Sequence, residues 1–544
     1  MLKHSLRACM TILPLCSLTA CSVLGPNFES LQPKAIPAQW QSVDQQDQTD
    51  IALWWQQFND PILDHLVEMA AEQNLDLEAA GLRIIQARAA LGISQGLQYP
   101  QVQQVSGNLA KAYQNEKSFD NAALSFDAGW ELDVWGKYAR GIESAEALMY
   151  ASIASYRDIA VTITAEVARN YINYRTFQER ILLSKRNIEI QQRVVHITQV
   201  QYDSGNVTEL DVQQAKNQLY TTKAALPSLK IAMLQARNAL AVLLGVLPSE
   251  VDALLGSDAI DKKIAVYDSR YAVGKKAALN GTDKYSLVPH IPKVDNQIDA
   301  NLVMRRPDLQ VAELQAHSQS AKIGLAETAL YPSFSLLGSI GINSTVPSDR
   351  SFSFSDSLML VAGPSFSWNI FQYGRVKNNI RLEDARFQES LTNYNKKVLV
   401  AVQEVTNALE SYDLYTEQKA LRLQSVNSSI RAFNISMTQY ENGQISFERL
   451  LNSVEKMTRS EDSYAQIKGN VANQVVALYK ALGGGWQITS GKPLVADSTI
   501  ETMKSRTDWG TSLDEDFVMP KADLPKQVAL PQLDPEKVPV EELN

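Results

Sequence analysis

The chain has almost no cysteine. Cys9, Cys16 and Cys21 are the only three among 544 residues, and all sit at the N-terminus. If the segment before Cys21 is removed, no disulfide can staple the fold, and packing alone must hold it. Histidine is nearly as scarce. His65, His196, His290 and His317 do not stand at metal-ligand spacing from one another. No nucleophile motif or complete phosphate loop is present, and Gly338-x-x-Gly341 falls in a strand pattern. These absences argue against an enzyme and imply neither cofactor nor metal. Positive charge is also in deficit. The net charge is -9, which argues against nucleic acid as a partner. No apolar run is long enough for a transmembrane helix, so a membrane could be crossed only by strands. Proline is missing from Gln101 to Leu226 and from Ser365 to Lys492, so nothing there need break a helix.

What fills those proline-free stretches is said twice. Under a shift of 238 positions, Trp130 answers to Trp368, Gly136 to Gly374, Tyr156 to Tyr394 and Tyr174 to Tyr412. Tyr202 and Gly205 return as Tyr440 and Gly443, and Leu244-Gly245 as Leu482-Gly483. One constant offset across so long a stretch marks a duplicated half-molecule.

Each copy carries a sustained heptad. Steps of seven from Ile153 meet Ala160, Val167, Tyr174, Ile181, Ile188, Val195 and Tyr202. The second copy runs Leu391, Val398, Val405, Tyr412, Lys419, Val426, Phe433 and Tyr440, with its one break at Lys419. Such a repeat predicts a helix packed lengthwise on others, about 100 Å long at 1.5 Å per residue. The heptads alone fit a filament or scaffold equally well.

The flanking segments discriminate. Lys3, His4 and Arg7 precede a short apolar core, and Leu18-Thr19-Ala20-Cys21 matches a bacterial lipobox. Residues 1–20 read as a lipoprotein signal peptide, Cys21 as the lipidated residue, and Ser22 favours sorting to the outer membrane. Between helical patterns lie period-two runs. Leu124, Phe126, Ala128, Trp130, Leu132 and Val134 alternate with polar residues, as do Leu358 to Ile370 and Phe334 to Ile342. Val105, Leu109 and Tyr113 make a weaker fourth strand, expected to be bulged. Four strands cannot close a barrel in lipid, so closure needs several chains; three give twelve strands.

The expected organisation is a lipid-anchored arm over 21–53, a first repeat over 54–245, a connector over 246–304, a second repeat over 305–483, and a collar segment with a disordered tail over 484–544. Each repeat reads helix, two strands, long helix, returning helix. The first helix is expected over Trp54 to Gln98, with Asn59-Asp60-Pro61 as its entry and Tyr99-Pro100 as its stop.

At this point the sequence resembles the TolC-like outer-membrane factors, in their NodT-type lipoprotein branch. Gly25-Pro26-Asn27-Phe28 with Trp40, then Trp55, Phe58, Asp60, Leu63, Asn74 and Leu77, carry the likeness. Arg305-Arg306-Pro307-Asp308-Leu309, Ala312-Glu313, Gly324 and Tyr331-Pro332 carry its strongest part. The resemblance implies an α+β fold: a long coiled-coil helical barrel beneath a transmembrane β-barrel, closed as a homotrimer. It implies a small-molecule exit duct embedded in outer-membrane lipid and reaching into the periplasm. A periplasmic adaptor and an inner-membrane transporter, of the RND type, would be its partners. A duct for protein secretion is the alternative on the same fold.

Two sets of site residues follow. Asp127, Glu131 and Asp133 are expected to line the pore, nine acids in three chains, with Phe126, Trp130, Leu132, Trp368 and Ile370 facing lipid. The helix tips at Tyr202 and Tyr440 are expected to form the gate. The resemblance implies hydrogen bonds and ion pairs around these turns, with Asp211 as acceptor for Tyr440 or a nearby donor. Arg449 and Asn452 stand where some relatives have aspartates, which makes Arg449 a second candidate partner for Asp211.

Overall fold

Two helices of 67 residues each, α3 (Lys137–Asp203) and α7 (Arg375–Glu441), give the molecule its length, about 100 Å. The computed structural model describes residues 23–31, 49–114, 117–256, 260–261, 263–264, 286–294, 303–347, 353–510 and 513. Cys21 and the residues from 514 onward lie outside these, as does most of the connector. Before α3 come α1 (Pro61–Gln73), α2 (Leu75–Gly96), β1 (Val102–Gln114) and β2 (Lys117–Glu131). After it come α4 (Glu209–Leu244), α5 (Pro248–Leu255), α6 (Pro307–Glu327), β3 (Ser333–Pro347) and β4 (Leu358–Ser367). Beyond α7 follow α8 (Phe447–Ala481) and α9 (Asp497–Arg506).

The heptads are the buried stripes. Ile153, Ala160, Val167 and Ile181 on α3 are buried, as are Val398, Val405, Val426, Phe433 and Tyr440 on α7. Lys419, at the break, is half-buried. Burying one apolar stripe per helix lets long helices lie side by side. On the sheet side of the waist the order is α2, α3, α6, α7; on the far side it is α4, α3, α8, α7. Among the described residues both strips are four helices wide and open at both edges.

All four turns that end the long and returning helices use one device. At the α3 tip, Asn206 N donates to Gln201 O at 2.8 Å and Gly205 N to Tyr202 O at 2.8 Å. At the α7 tip, Gln444 N donates to Gln439 O and Gly443 N to Tyr440 O. Gly205 and Gly443 have φ of 73° and 69°. These are Schellman caps, which need a left-handed residue that glycine supplies without a Cβ penalty. Gly245 and Gly483 repeat the pattern at the upper ends of α4 and α8.

Three sequence expectations need correction. The first helix is not continuous: Asn74 interrupts it. Its side chain accepts from Asp76 N and Leu77 N and donates to Leu243 O at 2.8 Å, capping α2 while tying it to α4. β1 is not bulged; it pairs with β2 in unbroken antiparallel register from Val102↔Gly129 to Gln114↔Lys117. The strands also stop earlier than their alternation, at Glu131 and Ser367 rather than Val134 and Ile370.

The sheet order is β1-β2-β3-β4, all neighbours antiparallel. The main core lies at the waist, where Trp54, Trp55, Phe58, Leu63 and Leu66 pack on Tyr171, Ile172 and Leu240. Trp54 stacks on Tyr479 at 5.4 Å, and Tyr171 donates its hydroxyl to Asp60 at 2.8 Å.

Candidate functional site

The sheet has two chemically different faces. Register places Val105, Phe126, Ile340 and Leu360 in one row across all four strands, and all four are exposed. This row continues as Leu124, Ile342 and Leu358 toward one end. At the helical end it finishes in two tryptophans just at or past strand ends. Trp130 Nε1 donates to Gln98 O and Trp368 Nε1 to Leu330 O, each at 3.0 Å. At the other end Lys111 and Asp120 form an exposed pair at 3.7 Å. An apolar band bounded by tryptophan indole N–H groups and by charge has the make-up of the outer face of a membrane barrel. The opposite face carries Gln104, Ser106, Asn108, Ser125, Asp127, Ser339 and Asn343, and is apolar mainly toward β4 at Leu337, Met359 and Val361, a mixed face that suits a watery lumen.

The three expected pore acids separate. Asp127 sits on the polar face, where Ser339 donates to it at 2.6 Å and Ser125 at 3.0 Å. Glu131, at the strand end, takes Lys137 Nζ at 2.9 Å and the Tyr138 hydroxyl at 3.0 Å. Burial, reinforced by Glu131, raises the Tyr138 hydroxyl well above its usual range. Asp133 is not in a strand at all. It accepts from Tyr138 N at 3.1 Å and Ala139 N at 2.8 Å, so it starts α3 where the helix dipole favours an anion. Of the three, Glu131 pairs with Lys137 and Asp133 caps the start of α3, while Asp127 has only hydroxyl partners.

The tip residues are equally specific. Asp211 accepts from Thr208 N at 2.9 Å and Thr208 Oγ1 at 2.8 Å, closing the first turn of α4. Tyr440 does not reach it within the chain. Its hydroxyl donates to Thr198 Oγ1 at 3.4 Å, inside a core of Val194, Ile430, Phe433, Phe447 and Leu450. Burial is the main cause that raises this hydroxyl's pKa, and the charge of Asp211 adds to it. Beside it Arg193 pairs with Glu441 at 3.3 Å. Tyr202, Arg449 and Asn452 are exposed on the tip surface.

Sequence reasoning missed two polar clusters. The first is at the waist. Glu179 and Lys468 pair in the α3–α8 seam, and Ser286 and Leu287 N donate to Glu179 at 2.9 and 3.1 Å. Beside it, Arg180 holds Asp462 with both arms, at 2.8 and 2.9 Å. Further along, Arg186 and Asn187 hold Glu461. The second cluster seats the arm. Arg140 donates to Leu24 O at 2.8 Å, Gly25 O at 3.1 Å and Asn27 Oδ1 at 2.9 Å. Phe28 stacks on His317 at 4.5 Å, and Leu31 N donates to Glu313 at 3.1 Å. The backbones of Gly25 and Gly324 meet so closely that a Cβ on Gly324 would lie 2.5 Å from Leu24 O. Thus residues 23–31 are strapped along α6, next to the sheet.

An apolar-banded sheet joined end-on to a strip of very long helices defines the channel class of outer-membrane proteins. A profile of the outer membrane efflux protein family matches residues 66–246 and 301–484, and the chain belongs to that family. The pyoverdine export outer membrane protein OpmQ of Pseudomonas putida is 27% identical over 496 residues, covering 88% of this chain and 98% of that protein. Nodulation protein T of Rhizobium leguminosarum bv. viciae is 26% identical, covering 89% and 94%. The solved outer-membrane channel OprN superposes with a TM-score of 0.71 at 28% identity, covering 85% of this chain and 99% of that one. The protein is an outer-membrane efflux channel, and the members of its family are transport proteins rather than enzymes.

Proposed function

We propose that three copies of this chain form the exit duct of a tripartite pump for small solutes. One observation carries the reading: both the sheet and the helical strip are four elements wide and open at both edges. Open sheet edges are not tolerated in lipid, so copies must join edge to edge. Three such sheets give twelve strands, enough for a solute-wide channel. Three strips likewise give a twelve-helix tunnel below. Its length suits a periplasmic conduit that meets an adaptor and an RND-type inner-membrane transporter. The pyoverdine-export name of one relative favours a small solute as cargo. Cys21 carries the lipid in this reading, two residues before the strapped segment begins.

The test is solute accumulation in cells. Deleting the gene raises accumulation of the pump's solutes, and restoring it returns export. Deletion that leaves every tested dye and antibiotic unaffected contradicts the reading.

A further inference from the structure

The duplication makes each seam appear twice, but one chain can fill only one of each pair. On the far side of the waist from the sheet, the first half meets the second along α3, with α8 and the end of α7 as its neighbours. Under the 238-residue shift, α3 maps onto α7, α8 maps onto α4, and α7 maps onto α3. The image of the filled seam therefore lies between α7 of one copy and α4 and α3 of the next. Among the described helices, none packs on the outer edge of either α7 or α4.

Three polar contacts of the filled seam keep their chemistry when shifted. The buried pair Glu179–Lys468 maps onto Glu417 and Lys230, again an acid and a lysine. The pair Arg193–Glu441 maps onto Arg431 and Asp203, again an arginine and an acid. The hydroxyl pair Tyr440–Thr198 maps onto Tyr202 and Ser436, again a tyrosine and a small hydroxyl. Within one chain Glu417, Lys230, Arg431, Asp203 and Tyr202 are exposed and Ser436 is half-buried. Other contacts do not survive the shift: Arg180–Asp462 becomes Gln418 and Ala224. The retained three therefore do not follow from wholesale identity of the two halves.

Apolar surface accompanies them. Leu414 and Leu421 flank Glu417 on α7 at 66% and 58% exposure, and Ile231 and Leu234 follow Lys230 on α4 at 55% and 44%. Uncovered leucines beside complementary charges are the make-up of an interface, not of a solvated face.

We propose that a second copy of this chain docks on α7 through Glu417–Lys230, Arg431–Asp203 and Ser436–Tyr202, each pair spanning two copies. The inference rests on the trimeric reading above. It also assigns Tyr202 a latch role between copies, matching the one Tyr440 plays within a copy. The tip would then be closed by six tyrosine–hydroxyl contacts in a ring, three within chains and three between them.

Charge exchange and crosslinking test it in the full-length membrane protein. Lys230→Glu and Glu417→Lys each lower the detergent-resistant trimer several-fold, and the two together restore it. Tyr202→Cys with Ser436→Cys, treated with a short bismaleimide, yields chains linked to one another. Tyr440→Cys with Thr198→Cys yields only a chain linked to itself. Single-cysteine variants control for Cys21. If the double charge exchange stays as weak as the singles, or the Tyr202–Ser436 pair links only within a chain, the seam assignment is overturned while the trimer stands. A wild-type protein that is not trimeric would instead remove the reading beneath it.

Discussion

Tyr440 donates its hydroxyl hydrogen to Thr198 Oγ1 across 3.4 Å, while the Thr198 hydroxyl donates to Val194 O at 2.8 Å on its own helix. The threonine oxygen is thus left free to accept, and one short relay ties the tip of α7 to α3. The tyrosine is only 2% exposed, so its hydroxyl has no water to turn to. Removing only the acceptor, Thr198→Val, leaves a buried donor unmet and costs about 1–3 kcal/mol. Tyr440→Phe together with Thr198→Val removes both groups and is milder. Vancomycin sensitivity of the cells reads the leak: Thr198→Val should sensitise more than the double variant. Equal sensitivity would show that the contact does not hold the tip.

The Glu179–Lys468 pair should behave as a buried charge pair. Removing one partner leaves an uncompensated charge and costs about 3–5 kcal/mol. Lys468→Met is therefore strongly destabilising, and adding Glu179→Met recovers much of the loss. Thermal unfolding in detergent measures both. A double variant no more stable than Lys468→Met would contradict the burial argument.

The arm is seated by close backbone approach. Gly324→Ala favours the helix by about 1 kcal/mol yet places a methyl against Leu24 O. The expected result is an arm that proteases clip near residues 23–31 in an otherwise intact protein. Gly92→Ala, on α2 with open space around it, should leave the arm protected.

Glu313 lies under that arm, and burial raises its carboxyl above the ordinary value of 4.5. As pH rises, the unfolded chain loses this proton first, so the folded state is penalised from about the ordinary value upward. The penalty persists at neutral pH. Glu313→Gln has no proton to lose and still offers an acceptor to Leu31. It should raise the unfolding temperature at pH 7, with the gain shrinking as pH falls through the glutamate range. A gain that grows toward acid pH would reverse the assigned sign.

Asp127 is the expected pore acid that stays on the polar face of the sheet, held by Ser125 and Ser339. Asp127→Asn should weaken cation preference in bilayer conductance, while Asp133→Asn should disturb folding of the α3 start and not selectivity. An unchanged preference in Asp127→Asn would remove the acid from the pore's function.

The periodic features were legible in the sequence because they depend on local chemistry. The heptad rows, the glycine caps at Gly205 and Gly443, and the alternation from Leu124 to Trp130 needed no knowledge of distant neighbours. Features set by tertiary partners were not. Asp133 shares the alternation of Glu131, and only the turn into α3 turns it into a cap. Asn74 was visible as a family residue, but its tie to Leu243 joins positions far apart in the chain. Arg140 was hidden by the duplication itself, since its counterpart is Asn378 and only the first half receives the arm. Thr198 gave no signal, because one threonine in a long helix looks like any other until Tyr440 arrives beside it.

In the proposed duct, the four strands and the four-helix-wide strip of each chain close by joining three copies. Native mass spectrometry of the detergent-extracted protein tests this most directly. A single dominant species of three chains is the predicted result. A dominant species of one, two or four chains would contradict it.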